Sequence, residues 1–160
     1  MNFRERLQRA SERGKQARAG QLNEAAAKAL SEEECRRLHS QYRLTVTEYI
    51  EHCLRELADN FPGFRHETLM KERGWGAAVS RDDVNLSGGS RANDFSRFEI
   101  VVRPYSEFHV LDLATKATVR NKEVFTRNQF QQLGEADLDS FKNTIDLWTL
   151  EFAERYAAER

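Results

Sequence analysis

From Phe95 to Phe125 the chain reads FSRFEIVVRPYSEFHVLDLATKATVRNKEVF, and this stretch decides the fold. Over residues 95–103, apolar residues alternate with polar or small ones, the period of a half-buried strand. Pro104-Tyr105-Ser106 breaks the run and residues 107–113 resume it, which predicts a hairpin. Ala114-Thr115-Lys116 reads as a short turn, and residues 117–125 as a further strand. Upstream, Trp75, Ala77 and Val79 alternate in the same way and give one strand more. A loop at 85–94, carrying Gly88-Gly89, follows it. Short links between consecutive strands favour an antiparallel meander, here of four strands.

Helical periodicity flanks the strands. Ser31 with Glu34 has the form of a capping box, a hydroxyl for the third amide and a carboxylate reaching back. Glu32, Glu33 and Glu34 fall in the first turn, where the helix dipole favours negative charge. Cys35, Leu38, Tyr42, Val46, Tyr49, Cys53 and Leu57 then recur at three- and four-residue steps, one helix face running to about Asn60. Phe61-Pro62-Gly63 ends it. Leu138, Phe141, Ile145, Trp148, Phe152 and Tyr156 make a second stripe to the end of the chain. The expected class is α+β: a four-stranded antiparallel meander with long N-terminal helices and a C-terminal helix packed on one face. Residues 1–30 are expected to form a basic helical arm and residues 31–160 a single α+β domain.

Composition sets the bounds. The chain has 160 residues, 39% hydrophobic and 32% charged, with ten Phe, two Trp and four Tyr. That supports a packed core and argues against wholesale disorder. Twenty-five basic residues nearly cancel 26 acidic ones, which excludes a histone-like polycation. Two Cys exclude a disulfide scaffold. No apolar run approaches the length of a membrane span. Met1 to Leu7 is charged and lacks the apolar core of a signal peptide, so a reducing cytoplasm is the expected home. The first twenty residues carry six basic and two acidic groups, net +4, on an otherwise mildly acidic chain. Phe3, Leu7, Ala10 and Ala17 give that arm a thin apolar stripe, weakened by Gly14 and Gly20.

Geometry suggests a partner. A helix over residues 31–59 would be about 44 Å long, against about 39 Å for a sphere holding this much chain. The protein is therefore expected to be elongated, or to have the overhang covered by a second chain. Phe98, Ile100 and Val102 share one sheet face, while Glu99, Val101 and Arg103 share the other. That second face mixes apolar and charged residues. Either the N-terminal helices cover it, or a homodimer or another protein does.

Candidate chemistry is thin. Cys35 and His39 stand at i, i+4, with His52-Cys53 further on, but the two Cys would lie about 27 Å apart along one helix. Buried structural Cys is the expected reading. His66 and His109 are candidate pocket residues and each has the chemistry of a general base. Asp82-Asp83 reads as a solvated turn. Ser87-Gly88-Gly89-Ser90 lacks the Lys-Ser/Thr ending of a phosphate loop. No metal or cofactor is implied. The leading expectation is a non-catalytic interaction or adaptor module, partnered by itself or by another protein. It would bury the Phe3/Leu7 stripe and the mixed sheet face, with Arg97, Arg103, Arg120 and Lys122 at the rim. The alternatives are a small-molecule binder or enzyme with a pocket between sheet and helices, and a nucleic-acid-binding module using the basic arm. Nucleic acid is the less favoured partner because the body is net negative.

Overall fold

The computed structural model describes residues 2–30, 32–85 and 92–159. Ser31 of the expected capping box and the Ser87–Ser90 loop lie outside them. In chain order the elements are α1 (Phe3–Leu30), α2 (Glu32–Asn60), β1 (Arg65–Lys71), β2 (Gly74–Asn85), β3 (Ala92–Val102), β4 (Val110–Val119), β5 (Lys122–Gln132) and α3 (Leu138–Ala158). The class is α+β. The strands form one antiparallel sheet in the order β1-β2-β3-β4-β5. No helix among the described residues is long and apolar enough to cross a membrane.

The chain divides into two compact units, residues 1–37 and 38–160. In the first, Asn2 caps α1, its Oδ1 accepting the Glu5 amide at 2.9 Å. Phe3, Leu7 and Leu22 on α1 are exposed by 75%, 55% and 61%. Arg36 and Arg37 lie beside Glu32 and Glu34 at 3.8 and 3.7 Å, the spacing of pairs one helical turn apart.

In the second unit the core lies between the sheet and the helices. Phe98, Ile100 and Val102 of β3 are fully buried, as are Ala77 and Val79 of β2 and Leu113 and Ala117 of β4. The register sets Ile100 between Ala77 and Thr115, and Phe98 between Val79 and Ala117, so these residues share one face. α3 lies on that face: Phe152 stacks on Phe98 at 4.8 Å and 9°. Its stripe of Phe141, Ile145, Trp148, Phe152 and Tyr156 is buried. Asp137 caps the helix by accepting from the amides of Asp139 and Ser140. α2 lies on the same face, tied to α3 by Tyr49, whose hydroxyl donates to Asp146 at 2.5 Å, and to β1 by Thr68, which donates to Glu51 at 2.7 Å. The buried positions of α2 are His39, Val46, Ile50, Leu54 and Leu57. The expected stripe was therefore rotated. Val46 and Leu57 face the core, but Tyr49 and Cys53 turn toward α3, and both Cys are only half-buried.

The sheet corrects the strand expectation in three places. It has five strands, not four, because residues 65–71 pair along their full length with β2. Residues 114–116 are no turn but the middle of β4. Thr115 is buried there and its hydroxyl donates to the Glu99 carbonyl at 2.8 Å. Residues 117–125 are no single strand: the chain reverses at Arg120 and Asn121, with φ of 47° and 71°. Two successive positive φ values make a hairpin turn whose twist matches its strands. Asn121 anchors it, its Oδ1 accepting the Phe95 amide at 2.9 Å and its Nδ2 donating to the Asn93 carbonyl at 3.1 Å. β4 itself begins at Val110, so His109 stands just before the strand rather than within it, at φ 54°.

Candidate interaction surface

Strand alternation turns Glu67, Leu69, Val84, Phe95, Arg97, Glu99, Val101, Arg103, Lys116 and Phe130 away from the helices. Phe130 and Val84 are exposed by 60% and 52%. At the centre is a trough of about 430 Å³, floored by Val101 and Ala114 and edged by Arg73, Glu99, Arg103 and Lys116. Three cations on this face sit beside acids. Arg97 donates to Glu67 at 2.9 Å, Arg103 lies 3.7 Å from Asp112, and Lys116 is registered opposite Glu99. Opposite charges across neighbouring strands stabilise the sheet and leave a surface of low net charge with apolar islands.

A second surface lies along the outer side of β5. That strand has β4 as its one neighbour in the sheet. Beside it a groove of about 600 Å³ is lined by Asn128, Phe130, Thr144, Leu147 and Trp148, so α3 forms its other wall. Leu147 is 57% exposed there. Side chains clamp β5 to α3. Arg127 donates to both carboxylate oxygens of Glu151 at 3.1 and 2.8 Å, Thr144 donates to Gln129, and Gln131 donates to Ser140 at 3.3 Å.

The structure distributes the sequence-selected residues over both units. Phe3 and Leu7 are exposed on α1. Arg97 and Arg103 share the open sheet face. Arg120 sits in the β4–β5 turn and is three-quarters covered. Its guanidinium lies over Tyr156 at 5.4 Å, with Nη1 at 3.5 Å from Asp83 and 3.9 Å from Asp94. Lys122 is exposed beside it. Of the two selected histidines, His66 lies in β1 and His109 just before β4, strands that do not neighbour each other in the sheet.

His66 Nε2 lies 2.9 Å from Glu51 Oε2, a close contact in which neither atom makes a well-directed hydrogen bond. The Thr68 hydroxyl donates to the other oxygen of the same carboxylate at 2.7 Å. His109 lies against the Tyr105 ring at 5.9 Å. Among the described residues no group of three His, Cys, Asp or Glu is arranged to hold a metal ion.

His39 and Cys53, read from sequence only as members of Cys/His pairs, stand in two polar sites that the sequence did not place. His39, on the buried face of α2, donates from Nε2 to the Arg103 carbonyl at 3.2 Å. A carbonyl only accepts, so the proton is on Nε2. Burial lowers the His39 pKa below its ordinary value. The bond to Arg103 opposes this, and the nearby Arg43 adds to it. Between α2 and α3, Asp146 accepts from Tyr49 and from the Cys53 thiol, the latter at 3.7 Å. Burial pushes the thiol up to about 11, with the Asp146 charge acting in the same direction and the Tyr49 hydroxyl against both. The Tyr49 hydroxyl is raised as well, chiefly by its bond to Asp146. A thiol so protonated is a poor nucleophile and a poor metal ligand. No protein-family model, curated protein or solved structure matches the chain.

Proposed function

We propose that this protein is a non-catalytic interaction module that works by burying surface against another polypeptide. The observation that carries this reading is the second face of the sheet, where Phe130, Val84 and Phe95 stand exposed and Arg97, Arg103 and Lys116 already have acidic neighbours. Such a face offers apolar area with little unpaired charge to desolvate, which suits a protein partner better than a polyanion. The 1–30 arm adds Phe3 and Leu7, and Arg97, Arg103, Arg120 and Lys122 stand at the rim of the contact. Arg120 would act there mainly through the turn it holds. The test is solution mass and shape, by light scattering with small-angle scattering, on the full chain and on a chain lacking residues 1–20. An assembly larger than one chain is expected for the full-length protein. A compact monomer from both chains overturns the reading.

One observation supports a nucleic-acid reading as second choice: Arg6, Arg9, Arg13 and Gln16 line one side of α1. Binding through such a stripe weakens steeply with added salt, whereas an apolar contact holds. A salt series on a short duplex therefore separates the two.

A further inference from the structure

We propose that two copies of this chain associate by pairing β5 with its own symmetry mate, antiparallel, about a twofold axis at Asn128, joining two five-stranded sheets into one. The proposal rests on the interaction reading above and names its partner.

The backbone sets the first condition. The Leu133 amide donates to the His109 carbonyl at 2.9 Å. Hydrogen-bonded pairs alternate along an antiparallel ladder, and Val110 is registered opposite Gln132. Residues 127, 129 and 131 therefore direct their amides at β4, and Thr126, Asn128, Phe130 and Gln132 direct theirs outward; the ladder is interrupted at Val124, where the register against β4 shifts. A twofold at Asn128 brings the central three onto their counterparts in hydrogen-bonding phase: Asn128 on itself and Thr126 on Phe130, in both directions.

The side chains set the second condition. Exposed sheet edges are usually blunted by charge, by Pro or by bulges. The opposite edge strand, β1, obeys this, with Arg65, Glu67 and Lys71 in seven residues. β5 carries Lys122, Glu123 and a register shift against β4 at its start, but from there to Gln132 it has no Pro, no Gly and one charged residue, Arg127. That guanidinium is held by Glu151 of its own chain. With the axis at Asn128, Arg127 meets Gln129 of the second copy and no like charges face each other. An axis at Arg127 would set the two guanidiniums together and is excluded on that ground. A second copy of this strand can thus pair here without like-charge repulsion.

The groove sets the third. Leu147 lies beside residues 127–130 on the helix side of the sheet, so an axis at Asn128 brings the two Leu147 side chains near one another. On the other side it sets each exposed Phe130 against Thr126, an aromatic and β-branched pair of the kind that stabilises adjoining strands. Main-chain pairing would supply the affinity, and these two apolar contacts the register.

Three full-length proteins test this by sedimentation equilibrium over a concentration series: the native chain, Asn128→Lys and Asn128→Cys. Asn128 is exposed, so these changes should leave the thermal unfolding curve in place. Two ammonium groups facing across the axis should weaken association at least tenfold. Paired Cα atoms in an antiparallel ladder stand about 5.5 Å apart, within disulfide reach. The Asn128→Cys chain should therefore cross-link through the introduced thiols under mild oxidation, with peptide mapping to distinguish them from Cys35 and Cys53. A native dimer whose Asn128→Lys variant associates equally well and whose introduced thiols stay unlinked overturns the β5 pairing while leaving the interaction reading in place. A native chain monomeric at every concentration overturns the pairing, and a compact monomer with and without residues 1–20 overturns both.

Discussion

His39 shows how one buried polar side chain ties stability to pH. Its imidazole is 3% exposed, donates one bond to the Arg103 carbonyl and meets the edge of Tyr105 at 5.6 Å. Its pKa is lowered in the fold, so below the ordinary value of 6.5 the unfolded chain binds a proton that the folded chain resists. Stability contributed by neutral His39 is thus complete above pH 6.5 and is lost as pH falls through the depressed folded value. Denaturant unfolding at pH 7.5, 6.5 and 5.5 should show this loss, and His39→Gln should flatten it. An unchanged pH slope in the variant would remove His39 from the account. At the same scale, Gly76 has no room for a side chain: a Cβ there would stand 2.0 Å from the Ile100 carbonyl oxygen, a backbone atom on the next strand. Gly76→Ala must separate β2 from β3, and a cost of about 3 kcal/mol or more is expected in chemical denaturation, the upper range of overpacking effects. Gly134, with nothing near its Cβ position, is the control and should tolerate Ala.

Between α2 and α3 the seam is held by Asp146, which receives both Tyr49 and Cys53. The Cys53 thiol, pushed up from 9.0 to about 11, is about a thousandth ionised at pH 8, against roughly a tenth for a thiol at the ordinary value. In a Cys35→Ser background, alkylation by iodoacetamide at pH 8 should run at least tenfold slower than for a small thiol. Asp146→Asn, which removes the charge, should speed it. Equal rates in the two chains would show that Asp146 does not act on the sulfur. The elements differ in how much of them the sequence discloses. α3 is legible throughout because five of its six stripe residues are core and its period is unbroken. α2 is legible as a helix but not in its orientation: it touches a sheet and a second helix at once, so Tyr49 and Cys53 look as apolar as Ile50 and Leu54. β1 is masked by its charges, which suit an edge strand. The β4–β5 turn is masked because Arg120-Asn121 lacks the glycine that usually marks two positive φ values, with Asn121 held instead by its contacts to β3. Of the candidate surface, the open face follows from alternation in β3. The exposed edge of β5 does not, since it depends on strand order, which only the assembled sheet defines.

At the scale of the molecule, the apolar residues of α1 and those of the sheet belong to different units, and this separates their contributions to stability. Phe3, Leu7 and Leu22 are all more than half exposed, so deleting residues 1–20 removes helix without opening a cavity in the core. The main unfolding transition of a chain lacking residues 1–20 should therefore fall within about 2 °C of the native one in calorimetry, while helical ellipticity drops, since surface changes outside the core rarely exceed ±0.5 kcal/mol. A loss of more than about 5 °C would mean that the arm's apolar stripe shares in the core after all. Association supplies the second readout on the same samples. β5 lies wholly within residues 38–160, so a dimer built on it should survive the deletion with its affinity unchanged. If instead the copies separate while the transition stays in place, the Phe3/Leu7 stripe rather than the strand edge is what holds them together.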